Sequence, residues 1–135
     1  MMQKHINNIA YQIIGGAIEV HKHLGPGLLE SVYQLCFEQE LALRNLRFQS
    51  QVPIPVSYKG KDLGSHLILD ILVEDLIVVE LKATESISQL YQAQLLSYLK
   101  LTQKPKGLLI NFNCENVTKN LVPLVTDLFK ELPEE

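Results

Sequence analysis

The chain has 135 residues, a formal net charge of −3 at pH 7, 47% hydrophobic residues and 20% charged residues. These values are typical of a globular protein with one domain, which we expect to span residues 1–135, and they exclude collagen-like and disordered classes. The acidic balance disfavours a basic field over the whole surface, which tight non-specific nucleic-acid binders carry. No apolar run approaches the roughly 18 residues of a membrane span, and the N-terminus lacks the apolar stretch of a signal peptide. We therefore expect a cytoplasmic protein without membrane contact.

Two helices are predicted in the first third of the chain. Apolar residues recur at helical spacing over residues 5–23, and Gly25-Pro26-Gly27 ends this helix. Gly15 and Gly16 inside it predict close packing against a neighbour. A second helix is predicted over residues 28–45, with one apolar stripe and a second apolar group beside it. The stripe consists of Leu29, Val32, Cys36 and Leu43, and the group beside it of Tyr33, Phe37 and Leu41.

Three strands are predicted next, and they form an antiparallel meander. Residues 48–58 contain β-branched residues and two prolines, which indicates an edge strand. A turn at residues 59–62 leads into a second strand over residues 63–73. Glu74 and Asp75 mark the next turn, and residues 76–83 form the third strand.

The last part of the chain adds a helix and further strands. Helical spacing over residues 86–102 predicts a helix whose inward face carries Ile87, Leu90, Tyr91, Leu95, Tyr98 and Leu99. Residues 106–112 predict a strand that is parallel to a central strand, because it follows a crossing helix. An edge strand over residues 121–125 and a frayed helix complete the chain. The order ααβββαβ predicts an α/β domain with a mixed central sheet flanked by helices.

Charged residues inside the most apolar strands are the main functional signal. Glu80 and Lys82 are two residues apart in "VVELK", so they share one face of the third strand. Asp70 lies inside the apolar run "LILDILV" of the preceding strand. A three-residue turn centred on Asp75 would place Asp70 directly opposite Glu80, whereas a two-residue turn would send them to opposite faces.

Two neighbouring carboxylates repel each other unless positive charge lies between them. Lys82 supplies one such charge, and a divalent cation is the other natural solution, since Asp and Glu oxygens suit Mg²⁺ or Mn²⁺. A divalent cation bound by two carboxylates, with a lysine beside its bound water, is an arrangement that can hydrolyse phosphodiester bonds. The alternative, a buried ion network of purely structural value, stays open because the pattern is short. The two cysteines, Cys36 and Cys114, are expected to be free and buried, and no Cys/His spacing predicts a zinc site.

These residues resemble a known family. Asp70…Glu80-Leu81-Lys82 resembles the D…(D/E)xK signature of the PD-(D/E)xK nuclease superfamily, and Gln94-Leu95-Leu96-Ser97-Tyr98 resembles the QxxxY motif of its recombination-exonuclease branch. Gly27-Leu28-Leu29-Glu30-Ser31-Val32-Tyr33 resembles the motif of the GxxExxY family within that superfamily. The blocks "PVSYKGKDLG", "VVELKA", "AQLLSYLKLT" and "GLLINF" extend the likeness over about residues 10–115. Leu69 stands where the superfamily usually has a proline before the aspartate.

The resemblance implies a restriction-endonuclease-like core and a set of site residues. Asp70 and Glu80 would be metal ligands for Mg²⁺ or Mn²⁺, with the Leu81 carbonyl as a third ligand, and Lys82 would be the catalytic lysine. Glu30 would be an additional acid at the metal. Gln94 would brace the site or contact the substrate, and Tyr98 would support it, as would Tyr33.

Several of these residues also have ordinary structural explanations. Gln94 is expected to be a buried amide that bonds either the backbone or the substrate, and Glu30 would also interact well with its helix dipole. Tyr33 and Tyr98 are expected mainly to pack, with bonded hydroxyls. His21 and His23 point apart on a helix and are expected to be structural or surface residues. His66 at the cleft mouth and phosphate contacts by Lys59 and Lys61 are minor alternatives.

Our leading hypothesis is a metal-dependent nuclease-like domain acting on DNA. The second is a nucleic-acid- or protein-binding module that keeps the fold but cuts poorly. The third is a structural or assembly protein in which the charged residues form a buried network. Under the same hypothesis, we expect a homodimer or a protein partner that helps to bind the substrate.

Overall fold

The computed structural model describes all residues from 1 to 135. Two helices come first, followed by three strands, a helix, two further strands separated by a short 3₁₀ turn, and a final helical turn. In chain order the elements are α1 (Gln3–Leu24), α2 (Glu30–Leu43), β1 (Phe48–Tyr58), β2 (Lys61–Val73), β3 (Ile77–Lys82), α3 (Gln89–Thr102), β4 (Lys106–Asn111), β5 (Leu121–Val125) and α4 (Asp127–Lys130), with the 3₁₀ turn at Thr118–Asn120. No helix is both long enough and apolar enough to span a membrane.

The five strands form one sheet in the order β1-β2-β3-β4-β5. β1, β2 and β3 are an antiparallel meander, β4 is parallel to β3, and β5 is antiparallel to β4. The crossing helix α3 makes the parallel β3–β4 connection, as the sequence predicts. The predicted mixed sheet flanked by helices, which is the restriction-endonuclease-like arrangement, is confirmed.

Each face of the sheet is covered by its own hydrophobic core. The larger core lies between the sheet and the α1/α2 pair and includes Ile77, Val79 and Leu81 of β3. The smaller core lies between the sheet and α3 and includes Val78 of β3. The period-two alternation of a strand places Glu80 on the same face as Val78, so this carboxyl group points toward α3.

The buried face of α2 differs from the predicted apolar stripe. Tyr33, Phe37 and Leu41 are fully buried, whereas Leu29 and Leu43 are 73% and 67% exposed. The group predicted to lie beside the stripe is therefore the true core face. Leu90, predicted to face inward on α3, is 74% exposed because it lies in the first turn of that helix, where the core does not extend.

The neighbours that pack against Gly15 and Gly16 are α2 and Arg44, the residue that follows it. A Cβ atom at Gly15 would lie 2.8 Å from a guanidinium nitrogen of Arg44, and one at Gly16 would lie 3.5 Å from the Phe37 ring. Arg44 is fixed there by a 2.8 Å ion pair with Glu40. The predicted close packing at this diglycine is therefore confirmed, and it joins α1 to α2.

Candidate functional site

The β2–β3 turn has the length that brings two carboxyl groups together. Val73 pairs with Ile77, so three residues, 74–76, form the turn. The same register pairs Ile71 with Val79, and its continuation by one residue places Asp70 opposite Glu80. Of the two turn lengths that the sequence left open, the structure therefore has the three-residue turn.

Hydrogen bonds at the end of this ladder fix the aspartate. The main-chain N–H of Asp70 donates to Glu80 Oε2 at 3.3 Å, and the main-chain N–H of Leu81 donates to Asp70 Oδ2 at 2.8 Å. The Asp70 carboxylate thus replaces a main-chain acceptor for β3. Its side chain is directed to the β3 strand end, where Glu80 and Lys82 also lie.

Glu80 is in an unusual environment for a carboxyl group. It is only 7% exposed, and its Oε1 atom is buried without a hydrogen-bond partner. Burial raises the pKa of Glu80 to about 9, and the adjacent Asp70 carboxyl adds to the shift, while Lys82 opposes it. A buried oxygen without a partner is costly, and a bound cation would satisfy it.

Lys82 lies two residues beyond Glu80 on the same face of β3, at the end of the strand. Its ammonium group lies 4.5 Å from the centre of the Tyr91 ring, which α3 places over it. This distance is within the range of a cation–π interaction. The lysine is half-buried, so its charge is held at the strand end between the carboxyl groups and α3.

Glu30, the first residue of α2, lies near the same charges from the other direction. Partial burial raises its pKa, and the nearby Asp70 raises it further, whereas Lys82 lowers it. A group that feels both Asp70 and Lys82 lies within the electrostatic range of the site. Glu30 is therefore close enough to Asp70 and Lys82 to be affected by their charges, but no hydrogen bond joins it to the strand residues.

α3 contributes a tyrosine and an amide to this region. Tyr98 is buried, and burial raises the pKa of its hydroxyl, with Glu80 and Asp70 adding to the effect. The Gln94 amide lies close enough to the Tyr98 hydroxyl to lower that pKa in part. The expectation that Gln94 is a buried amide is wrong, since the residue is exposed and solvent can satisfy it.

Tyr33 supports the fold at a distance from the charges. Its hydroxyl donates to the Gly25 carbonyl at 2.6 Å and accepts from the Leu28 N–H at 3.2 Å. Its ring stacks on Phe112, with the ring centres 4.7 Å apart. The tyrosine therefore fixes the turn from which α2 and Glu30 begin.

The histidines and the turn lysines have other surroundings. His21 Nε2 lies 2.7 Å from the Cys114 carbonyl oxygen, His23 Nδ1 lies 3.0 Å from the Glu19 carbonyl oxygen, and His66 Nε2 lies 2.6 Å from the Leu63 carbonyl oxygen. Lys59 and Lys61 flank the tip of the exposed β1–β2 hairpin. Cys36 and Cys114 are free, as predicted, but half-buried instead of buried.

Two residues at the site were not identified from the sequence. Tyr91 was assigned only to the core face of α3, because an aromatic residue at helical spacing is typical of packing. Asn111 lies beside Lys82 in the β3–β4 ladder and is fully buried. Its amide accepts from the Thr84 N–H at 3.1 Å and donates to the Thr84 carbonyl at 2.9 Å, which fixes the chain after Lys82. The sequence signal for Asn111 was its position as a polar residue at the end of the apolar run "GLLIN".

The donor set fits a hard divalent cation in part. Asp70 and Glu80 supply adjacent carboxyl oxygens, one of them buried without a partner. Such oxygen ligands suit Mg²⁺ or Mn²⁺, which also retain several water molecules. No group of three or more His, Cys, Asp or Glu side chains is arranged to hold an ion by itself. Main-chain oxygen and water would therefore have to complete the coordination.

Comparison with known proteins gives one match. A sequence profile described as the PD-(D/E)XK nuclease superfamily matches residues 7–122. This range contains α2, the three-stranded meander, α3 and β4, and with them every residue of the site. Searches of curated proteins and of solved structures found no match.

Proposed function

Because the chain belongs to the PD-(D/E)XK nuclease superfamily, we propose that it is a divalent-metal-dependent nuclease that hydrolyses phosphodiester bonds in DNA. The observation that carries this proposal is the meeting of Asp70 and Glu80 across β2 and β3, with a buried oxygen that has no partner and Lys82 beside it. A purely structural role would favour a fully bonded cluster, since an unsatisfied buried oxygen costs stability.

Asp70 and Glu80 would hold Mg²⁺ or Mn²⁺ through their carboxylates, and the Leu81 carbonyl would add a main-chain ligand. The N–H and C=O of a strand residue point to the same edge, and the Leu81 N–H already bonds Asp70. Glu30 would act directly or through water from α2. When bound, the cation would lower the pKa of a water molecule and stabilise the charge of the phosphate.

Lys82 would act on the phosphate or on the attacking water. Its ammonium group can donate hydrogen bonds to a phosphate oxygen or orient the nucleophile. Asn111 and Tyr91 hold the lysine and the chain that follows it. Gln94, exposed beside Tyr98, has an amide that is accessible to a substrate, so it would contact the nucleic acid or brace the site.

Finer features of the proposal follow from the sequence motifs. We propose that the chain is of the GxxExxY type within the superfamily, because Gly27, Glu30 and Tyr33 match that motif and occupy the start of α2. The same proposal takes DNA as the substrate and the cytoplasm as the location of the protein. It also includes a second copy of the chain, or a protein partner, that would help to bind the substrate.

A cleavage screen tests the proposal. The purified chain is incubated with single-stranded, duplex, branched and RNA substrates in Mg²⁺, in Mn²⁺ and in EDTA. We expect cleavage that requires the divalent ion and falls by at least about 100-fold in Lys82→Ala, within the range seen when a transition-state donor is removed. Lys22→Ala, which removes an exposed lysine from α1, should cleave normally.

Robust cleavage by folded Lys82→Ala would contradict the assignment of the lysine. Nucleic-acid binding without cleavage of any substrate in Mg²⁺ or Mn²⁺ would contradict the proposed reaction. It would support the alternative, a binding module that retains the nuclease fold.

A further inference from the structure

A side chain from α2 holds the main chain of Asp70. The Gln34 amide nitrogen donates to the Asp70 carbonyl at 3.2 Å. On its other side, the Gln34 amide oxygen accepts a hydrogen bond from Gln51 Nε2 at 3.1 Å. One amide therefore contacts β2 at Asp70 and β1 at Gln51, the two residues that lie between the Ser50–Ile71 and Val52–Leu69 pairs of the β1–β2 ladder.

The Gln34 amide is itself fixed by its neighbours. Its nitrogen lies 2.9 Å from Glu38 Oε2 and 3.2 Å from Ser50 Oγ, and the Ser50 hydroxyl donates to the same Glu38 oxygen at 2.8 Å. The two N–H groups of the amide face three acceptors and its oxygen faces a donor, so the reversed orientation of the amide would bring like groups together. Glu38 lies one turn beyond Gln34 on α2, and Glu30 lies one turn before it.

The strands are irregular at the point that Gln34 contacts. Gln51 has a φ of 52°, in the left-handed region that a residue with a Cβ adopts at an energetic cost. The ladder pairs Ser50 with Ile71 and Val52 with Leu69 but omits the pair between them, Gln51 and Asp70.

The alternation of faces also changes there. Ile71 and Val73 pack in the core beside α1 and α2, whereas Leu69 and Leu67, of the same parity, pack in the core beside α3. An irregular strand needs outside contacts to hold one geometry, and irregularities of this kind re-aim side chains.

We propose that Gln34 is a positioning residue that holds the Asp70 main chain so that the Asp70 carboxylate faces the Leu81 N–H and the Glu80 carboxyl. The role of this arrangement in holding a cation rests on the proposed function. The positioning itself is a property of the protein without a cation. Gln34 bonds the main-chain carbonyl of Asp70 and makes no hydrogen bond to the Asp70 carboxylate, Glu80 or Lys82, so it acts only through the Asp70 main chain.

The positioning is tested in EDTA by amide hydrogen exchange. In Gln34→Met, which keeps the length of the side chain but removes its polar atoms, the Leu81 amide should exchange roughly tenfold faster, because its bond to Asp70 loosens. The Phe112 amide, which donates to the Lys82 carbonyl at 3.0 Å, should keep its rate. Gln39→Met, the same substitution at an exposed position of α2, should leave both amides unchanged.

Gln34→Asn is the second variant, in case the methionine variant does not fold. Its amide is withdrawn by one methylene group, about 1.5 Å, so it should no longer reach the Asp70 carbonyl. Unchanged exchange at Leu81 in a folded variant would overturn the inference.

The link to a cation is tested by titrating Mn²⁺ in a calorimeter. We expect Gln34→Met or Gln34→Asn to weaken Mn²⁺ binding by about 10–100-fold, as loss of a ligand-orienting partner does, while Gln39→Met binds normally. If the wild-type chain binds no Mn²⁺, the proposed function fails, and the Leu81 amide alone decides whether Gln34 positions Asp70. Faster exchange at Leu81 with unchanged Mn²⁺ affinity would overturn the link to the cation.

Discussion

The ammonium group of Lys82 lies 4.5 Å from the centre of the Tyr91 ring. α3 brings this ring to the end of β3, where Lys82 follows the buried Glu80. A lysine side chain on a strand end has many rotamers, and a ring face at this distance favours one region of them. Tyr91 thus connects α3, which also carries Gln94 and Tyr98, to the proposed catalytic lysine.

Tyr91→Leu should therefore reduce cleavage while Tyr91→Phe, which keeps the ring, should retain it. We expect a loss of roughly 2–30-fold for the leucine variant, which corresponds to a cation–π interaction worth about 0.5–2 kcal/mol. NMR provides a readout without catalysis, because the ring current of Tyr91 should shift the Lys82 εCH₂ protons upfield in the wild type and in Tyr91→Phe. Equal activity and equal Lys82 shifts in all three proteins would show that the ring does not hold the lysine.

Divalent ions should raise the thermal stability of the chain. A ligand that binds only the folded state adds about 2.7 kcal/mol at a concentration 100 times its Kd. For a domain of this size that corresponds to roughly 10 °C in Tm. Differential scanning calorimetry with Mg²⁺, Mn²⁺ or EDTA measures the effect, and Glu80→Gln should abolish most of it. A Tm that is insensitive to both ions would favour the buried ion network without a metal.

Glu80 should make the stability of the metal-free protein depend on pH. The folded protein keeps the Glu80 proton up to about pH 9, whereas the unfolded chain releases it near 4.5, the ordinary pKa of a glutamate side chain. Because the folded-state pKa is the higher one, this contribution to stability is fully present below about pH 4.5 and is lost as the pH rises toward 9. The slope approaches about 1.4 kcal/mol per pH unit within that window.

Glu80→Gln cannot ionise, so its stability in EDTA should fall less between pH 5 and pH 9 than that of the wild type. Urea unfolding at several pH values measures the difference, which should grow in favour of the variant as the pH rises. Parallel curves for the two proteins would show that the Glu80 carboxyl is not protonated in the folded state.

The adjacency of the acidic residues was predictable because strand geometry leaves few choices. Side chains alternate with a period of two, and the length of a hairpin turn sets the register. Only the choice between a two-residue and a three-residue turn stayed open for Asp70 and Glu80, and the structure has the three-residue turn. The strand limits Phe48–Tyr58 and Leu121–Val125 were likewise predicted, since polar and turn residues flank both strands.

Helix faces and local irregularities were harder to predict. α2 has apolar residues around much of its circumference, so periodicity alone did not separate the buried Tyr33 and Phe37 from the exposed Leu29 and Leu43. Gln51 has a left-handed conformation and bonds Gln34 of α2, and no pattern in the sequence of β1 indicates either feature. The alternation of faces along β2 changes at the same place, which a strict period of two does not predict.

Gly107 allows α3 to approach the sheet beneath the site. It pairs with Val78 in the β3–β4 ladder, and a Cβ atom there would lie 3.1 Å from Leu95 Cδ1 and 3.1 Å from Leu99 Cδ1. Both leucines are buried on the face of α3 that contacts the sheet. The φ of Gly107 is not positive, so a larger residue at this position would be strained only by its contacts with the two leucines.

Gly107→Ala should therefore destabilise the fold by about 1–3 kcal/mol, as overpacking of a core does, and should lower cleavage by displacing Tyr91. Shortening the opposing side chain with Leu95→Val should restore part of the loss, because the two substitutions share one space. A double-mutant cycle of urea unfolding measures this coupling, which should be favourable by at least about 0.5 kcal/mol. Additive effects of the two substitutions would contradict the close contact between β4 and α3.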